Sequence, residues 1–259
     1  MQLTGAWHCL IQQPIDGDLR FGFGCRFAYH VPQLHVMSAA PGSAMKAPSK
    51  TALFNAVKLW NVPAVEALLA MSPDLAQATD SKGRTALHLA CSVKPSNRAI
   101  GEPDGARTVA ALLKSGAGLE AEAPMDKDEG DFRATPLWYA VARGENLPLA
   151  QFLLRHGADP SYSLWAVVWR DDDVVCRELL KNRPRLDLRA HGETPIFYAA
   201  RLKRLKTLDL LIEAGANPAI VDNKGRDAVD IALARRLPKN LINRLAESKR
   251  RSQRATPLG

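Results

Sequence analysis

Apolar positions along this chain recur in one short phrase. A Thr or similar residue opens a segment and an Ala stands five residues on. After a break, a second apolar segment ends in a Leu-Leu-like pair. Thr51 to Ala56 leads to Leu68 and Leu69, Thr85 to Ala90 leads to Leu112 and Leu113, Thr135 to Ala140 leads to Leu153 and Leu154, and Thr194 to Ala199 leads to Leu211 and Ile212. A degenerate copy sets Ser161 at the Thr position and Ala166 thirteen residues before Leu179, and a last copy opens at Asp227 with Ala232 in phase. The starts at 51, 85, 135, 161, 194 and 227 are separated by 34, 50, 26, 33 and 33 residues. The long interval contains insertions at Lys94–Arg107 and Pro124–Arg133, and the short one is a deletion before the fourth copy.

Each copy reads as two helices joined by a turn. Thr85, Thr135 and Thr194 offer a side-chain oxygen to unpaired helix amides, and Pro136 and Pro195 follow at the first helical position, where a missing N–H costs nothing. Ala56, Ala90, Ala140, Ala166, Ala199 and Ala232 are small enough for neighbouring helices to approach closely. Gly116, Gly157 and Gly215 end the second helices, where a left-handed residue is wanted. No unit of this size buries its apolar face alone; stacking does, and stability becomes a sum over neighbours. The last copy is polar enough to cap such a stack, with a second helix expected over Lys239–Lys249.

The Thr-Pro-Leu starts, the Leu-Leu pairs, the Gly-Ala-Asp/Asn endings and the twice-used turn Asp80-Ser-Lys-Gly83-Arg and Asp222-Asn-Lys-Gly225-Arg resemble the ankyrin repeat, with its 33-residue period. The resemblance covers roughly residues 48–247. It implies an all-α, ankyrin-type solenoid of about six stacked helix–turn–helix repeats with short hairpin turns. Residues 1–47 fall outside it as an irregular or disordered extension, or as sequence upstream of a start at Met37 or Met45. Residues 248–259 form a basic tail.

Composition adds little to the fold and more to the function. Apolar residues make up 46% of the chain, enough for a core, while aromatics at 6% argue against an all-β architecture. The net charge of +8 is concentrated from Arg235 to Arg254, where it reads first as a solvated end and second as a contact for nucleic acid or an anionic membrane surface. Cys9, Cys25, Cys91 and Cys176 have no metal or redox spacing, which suits a reducing compartment. No stretch is long and apolar enough to span a bilayer. Met1 to Leu10 carries no positive charge, and Asp16 and Asp18 interrupt any apolar run, so no signal peptide and a cytoplasmic location are expected.

Catalytic and metal motifs are missing from the pattern. His88 falls at the signature histidine and is expected to hydrogen-bond near Thr85 rather than hold a metal. Gly22-Phe-Gly24 lacks the third glycine of a dinucleotide fingerprint. Asp171-Asp172-Asp173 falls in a turn, where it reads as a helix start rather than a cation site. The expectation is a protein-interaction module, adaptor or regulator, with no enzymatic activity, cofactor or metal.

What the resemblance implies about the site is a concave side lined by first-helix ends and hairpin tips. Copy by copy this gives Lys58 and Leu59, Ser92 and Val93, Arg143, Val168 and Trp169, Arg201 and Leu202, and Arg235, with Lys82, Arg84, Lys224 and Arg226 at hairpin tips. Of these, Lys58, Lys82, Arg84, Arg143, Trp169, Arg201, Lys224, Arg226 and Arg235 are the candidate partner-binding residues. Arg and Trp are enriched at binding hot spots, so the implied partner is a protein, with an acidic segment as its contact. Nucleic acid is disfavoured, and the oligomeric state is open.

Overall fold

The computed structural model describes residues 47–95, 102–124 and 133–255. The expected N-terminal extension lies outside the described residues except for Ala47, as do the centres of both insertions. Twelve α-helices follow one another among the described residues. They are α1 (Lys50–Lys58) and α2 (Val62–Met71), α3 (Ala86–Cys91) and α4 (Glu102–Lys114), α5 (Pro136–Ala142) and α6 (Leu147–Arg155), α7 (Ser163–Arg170) and α8 (Asp173–Lys181), α9 (Pro195–Leu202) and α10 (Leu205–Glu213), and α11 (Ala228–Ala234) and α12 (Lys239–Ala255). A two-residue antiparallel ladder, β1 (Ala123–Pro124) with β2 (Arg133–Ala134), frames the second insertion.

The first helix of each pair packs on the first helix of the next, in an unbroken row α1, α3, α5, α7, α9, α11. The small residues predicted for this contact are all buried, with Ala90, Ala140, Ala199 and Ala232 fully so. The shortened junction before α7 leaves the row intact, because α7 still packs between α5 and α9. What the deletion removes is the hairpin. Pro160 and Ser161 run almost directly into α7, whereas the junctions before α3, α5 and α9 carry a bridge or ladder at Thr79–Thr85, at β1–β2 and at Ala190–Glu193.

Several local expectations shift by a few residues. The first helix is capped by Ser49, whose hydroxyl accepts from the Ala52 amide at 3.2 Å, so Thr51 lies inside the helix. Ser161 does not cap α7; it accepts the Arg185 amide at 2.9 Å and so ties the fourth pair to the segment after it. Helix α4 begins at Glu102, within the expected insertion Lys94–Arg107. Helix α12 runs on to Ala255, so the expected tail boundary at residue 248 falls inside a helix. An Arg251–Glu247 pair one turn apart supports this continuation, and no proline intervenes before Pro257. Gly116, Gly157 and Gly215 take φ of 86°, 90° and 84°, the left-handed helix ends their spacing required.

Side chains that cross between pairs supply the polar part of the stack. Trp60, 3% exposed, donates its indole N–H to the Ala90 carbonyl at 3.0 Å. Asp171 accepts from both the amide (2.9 Å) and the hydroxyl (3.0 Å) of Thr207. His88 is fully buried; its Nδ1 accepts the Thr85 amide at 3.1 Å, and Nε2 lies 3.2 Å from the Ala134 carbonyl. An amide can only donate, so Nδ1 is the acceptor and Nε2 carries the proton that is given to Ala134. The neutral ring thus joins α3 to the hairpin before α5.

Burial holds the His88 pKa below the ordinary histidine value, against the raising effect of the Ala134 carbonyl. In the unfolded chain the ring takes up a proton near pH ~6.5, while in the folded chain it resists, so the unfolded state binds more protons below that pH. Its stabilising contribution is therefore complete above about pH 6.5 and declines as the pH falls towards the folded pKa. Thermal midpoints should drop between about pH 7 and about pH 5 in the native chain and drop less in His88→Gln; a midpoint that holds or rises on acidification would contradict this account.

Candidate functional site

The ends of three first helices and one hairpin enclose a cleft of about 450 Å³. Helix α5 supplies Trp138, Ala142 and Arg143, and α7 supplies Trp165, Ala166, Trp169 and Arg170. The hairpin gives Ala190, His191 and Glu193, and α9 gives Tyr198 and Arg201. Trp138 with Ala142, Trp165 with Trp169, and Ala166 with Arg170 are each four residues apart, so each pair shares a helix face.

Trp169 is 60% exposed, while Trp165, one turn earlier, is 6% exposed and forms part of the floor. An indole this open in a helix that buries most of its other large side chains is not a core residue displaced by a degenerate repeat. Arg143 lies over the Trp138 ring at 5.8 Å and Arg201 over the Tyr198 ring at 5.0 Å, both within cation–π reach. Arg201 also pairs with Glu193 at 2.8 Å. Arg143 has no ion-pair partner among the described residues. Arg170 meets Glu145 at 3.0 Å, and Lys94 reaches the other oxygen of the same carboxylate. These two cations, Arg170 first, hold the Glu145 carboxyl down to about 2.

The structure therefore brings together three of the candidate residues, Arg143, Trp169 and Arg201. The others are spread along the stack. Lys58 ends α1 and Arg235 follows α11, both exposed. Lys82 and Lys224 sit exposed at two turns, and their amides donate to Asp80 and Asp222 at 2.9 and 2.8 Å. Arg84 and Arg226 return to the same carboxylates at 2.7 and 2.6 Å, so both guanidiniums are engaged in building their turns. Arg226, followed by the turn amides, lowers the Asp222 carboxyl to about 2. Val168, expected on the concave side, is fully buried.

Trp138, Trp165, Tyr198 and His191 were not among the expected site residues. The signal for the first two was present: a Trp pair four residues apart on one helix, beside a Trp near the start of the preceding first helix.

The remaining chemical candidates are accounted for structurally. Asp172 caps α8 by accepting the Val175 amide at 3.0 Å, and Asp173 pairs with Lys206 at 3.2 Å, which with the Asp171–Thr207 bonds assigns all three aspartates. Cys91 and Cys176 are buried, and burial raises the Cys176 thiol to about 12. Among the described residues no group of three or more His, Cys, Asp or Glu is placed to hold a metal ion, and no helix is long and apolar enough to cross a membrane. At the basic end, Arg244 pairs with Asp209 and Glu213, Lys249 with Asp227, and Arg251 with Glu247. Arg244 and Lys249 therefore fasten α12 to the stack.

Residues 104–222, which contain the whole cleft, match the family model for ankyrin repeats in three copies. A viral relative, the ankyrin repeat domain-containing protein M-T5 of Myxoma virus (strain Lausanne), is 28% identical over 142 residues, covering 49% of this chain and 28% of the relative. The palmitoyltransferase ZDHHC13 of Homo sapiens is 26% identical over 154 residues, covering 43% and 25%. The chain thus spans about a quarter of the length of these relatives. Among solved structures, an ankyrin repeat domain from Acinetobacter baumannii AYE aligns with a TM-score of 0.58 at 21% identity, over 77% of this chain and 98% of that one. The ankyrin repeat protein EF0377 aligns with a TM-score of 0.54 at 21% identity, over 77% and 96%. Residues 104–222 thus carry ankyrin repeats, and the paired helices in an unbroken row share the fold of these ankyrin repeat structures.

Proposed function

We propose that this chain binds a partner protein through the cleft between α5, α7 and α9, as an adaptor or regulator rather than as a catalyst. Ankyrin repeats are in general protein–protein interaction modules. The observation that carries the choice of face is Trp169, 60% exposed on a row of first helices and flanked by Arg143 and Arg201. An exposed aromatic on a rigid helix, beside arginines, is the composition of an interface hot spot. The cleft is open, which suits recognition better than chemistry.

The competing reading places binding of nucleic acid or anionic membrane on the basic C-terminal helix. The two are separated by affinity capture from the native cell with quantitative mass spectrometry, comparing the unaltered chain with Trp169→Ala, Arg143→Glu and the double change Arg250→Glu/Arg254→Glu. A truncated hot-spot aromatic costs about 2 kcal/mol or more. The cleft variants should therefore lose their specific partners by at least about tenfold, and the C-terminal variant should keep them. Retention by both cleft variants, with loss from the C-terminal one, would refute the assignment.

A further inference from the structure

The distribution of charge around the cleft is uneven, and it says more about the occupant than the total does. On the α5 side, Arg170 and Lys94 share the Glu145 carboxylate, Asp171, Asp172 and Asp173 after Arg170 are taken up by Thr207, the Val175 amide and Lys206, and Arg143 has no ion-pair partner among the described residues. On the α9 side, Arg201 is matched by Glu193, whose side chain is 15% exposed. The cleft arginine left to meet an incoming anion is therefore Arg143 at the end of α5, and the apolar surface of Trp165, Trp169 and Tyr198 lies across α7 and α9.

We infer that the cleft takes an acidic peptide segment in one orientation, with a carboxylate on Arg143 and a large apolar side chain against Trp169. This inference rests on the reading that the cleft is the binding face. A guanidinium stacked on a ring, as Arg143 is on Trp138, still offers edge N–H groups that hold a carboxylate in a bidentate pair. Packed helix axes lie about 8–10 Å apart. An extended chain rises about 3.3 Å per residue, so a step from α5 to the aromatic side corresponds to about three residues. The segment carries one or two acidic residues, then a large apolar residue two or three positions away. Glu193 repels a carboxylate on the far side and so fixes the direction. A nucleic-acid strand fits less well: its charge is spread evenly, and it would have to pass Glu193 to cover the aromatics, whereas a peptide places carboxylates only where cations wait.

A random peptide display library selected on the whole chain tests both the chemistry and the face. Selected peptides are re-measured on Trp169→Ala and Arg143→Gln, with circular dichroism confirming that each variant is folded; both side chains are exposed. The expected result is enrichment of acidic residues two or three positions from a large apolar one, with affinity falling about tenfold or more on each variant and falling with added salt. Peptides that depend on Trp169 but carry no acidic enrichment and ignore Arg143→Gln would overturn this inference and leave the cleft as the binding face. Peptides indifferent to Trp169→Ala, or no selected peptides at all, would overturn both. Oligothymidylate that binds more tightly than any selected peptide, in a Trp169-dependent way, would overturn the peptide in favour of a nucleic-acid strand.

Discussion

Phe197→Ala is expected to lower the unfolding free energy by about 3–5 kcal/mol, the cost of truncating a buried aromatic and leaving its cavity. Phe197 is 1% exposed on α9, which packs against α7, α10 and α11. In a stack, stability is a sum of unit and interface contributions, and this side chain sits where several interfaces meet. The equivalent loss at Phe54, 8% exposed on α1, touches an end of the row and should be smaller. Urea unfolding of the two variants beside the native chain measures both. A loss below about 1 kcal/mol at Phe197 would mean that the site collapses to fill the space, and that the α9 interior is not the packed junction described above.

Gly144→Ala should cost roughly 2–3 kcal/mol through overpacking alone. Its φ lies outside the left-handed region, so alanine meets no backbone penalty there. A Cβ at this position would stand 3.0 Å from the Ala140 carbonyl oxygen, and nearer still to the Cys91 carbonyl oxygen of the preceding pair. Both are backbone atoms, so relief requires α3 and α5 to move apart. Gly157→Ala is the contrasting case: φ is 90° and nothing lies within 4 Å of the added carbon. Its cost is conformational, about 1–2 kcal/mol. Urea unfolding that ranks Gly157→Ala as the more damaging of the two would show that the close approach at Gly144 is relieved cheaply.

The repeat phase was readable because its determinants are local. A Thr or Asp before a helix, a Pro at its first position and a Gly after its partner act through the nearest few amides, and their spacing survives in one dimension. The cap at Ser49 was missed because two hydroxyl residues, Ser49 and Thr51, compete for one helix start and only the geometry of the turn decides between them. Helix α12 was ended too soon because its last basic residues read as a solvated tail, whereas Arg251 pairs with Glu247 one turn back and no proline stops the helix before Pro257.

The cleft was only partly readable for a related reason. Trp138 and Trp165 stand at core positions, so the four-residue spacing of Trp165 and Trp169 marks a shared helix face but does not say that this face borders an opening. That follows from how α5, α7 and α9 pack side by side with the hairpin at Ala190–Glu193, contacts between residues distant in sequence. Arg84 and Arg226 show the converse. Each stands four residues after an aspartate in the same repeated turn, a regularity that pointed to a structural pairing rather than to a free binding group.

The exposure of Trp169 has an optical side. An indole in water emits at longer wavelength than one enclosed by apolar groups. Trp60, Trp138 and Trp165 are buried, which leaves Trp169 as the water-facing indole among the described residues. Whatever covers it changes the colour of the protein's own fluorescence, so occupancy of the cleft is reported from within, without an attached dye.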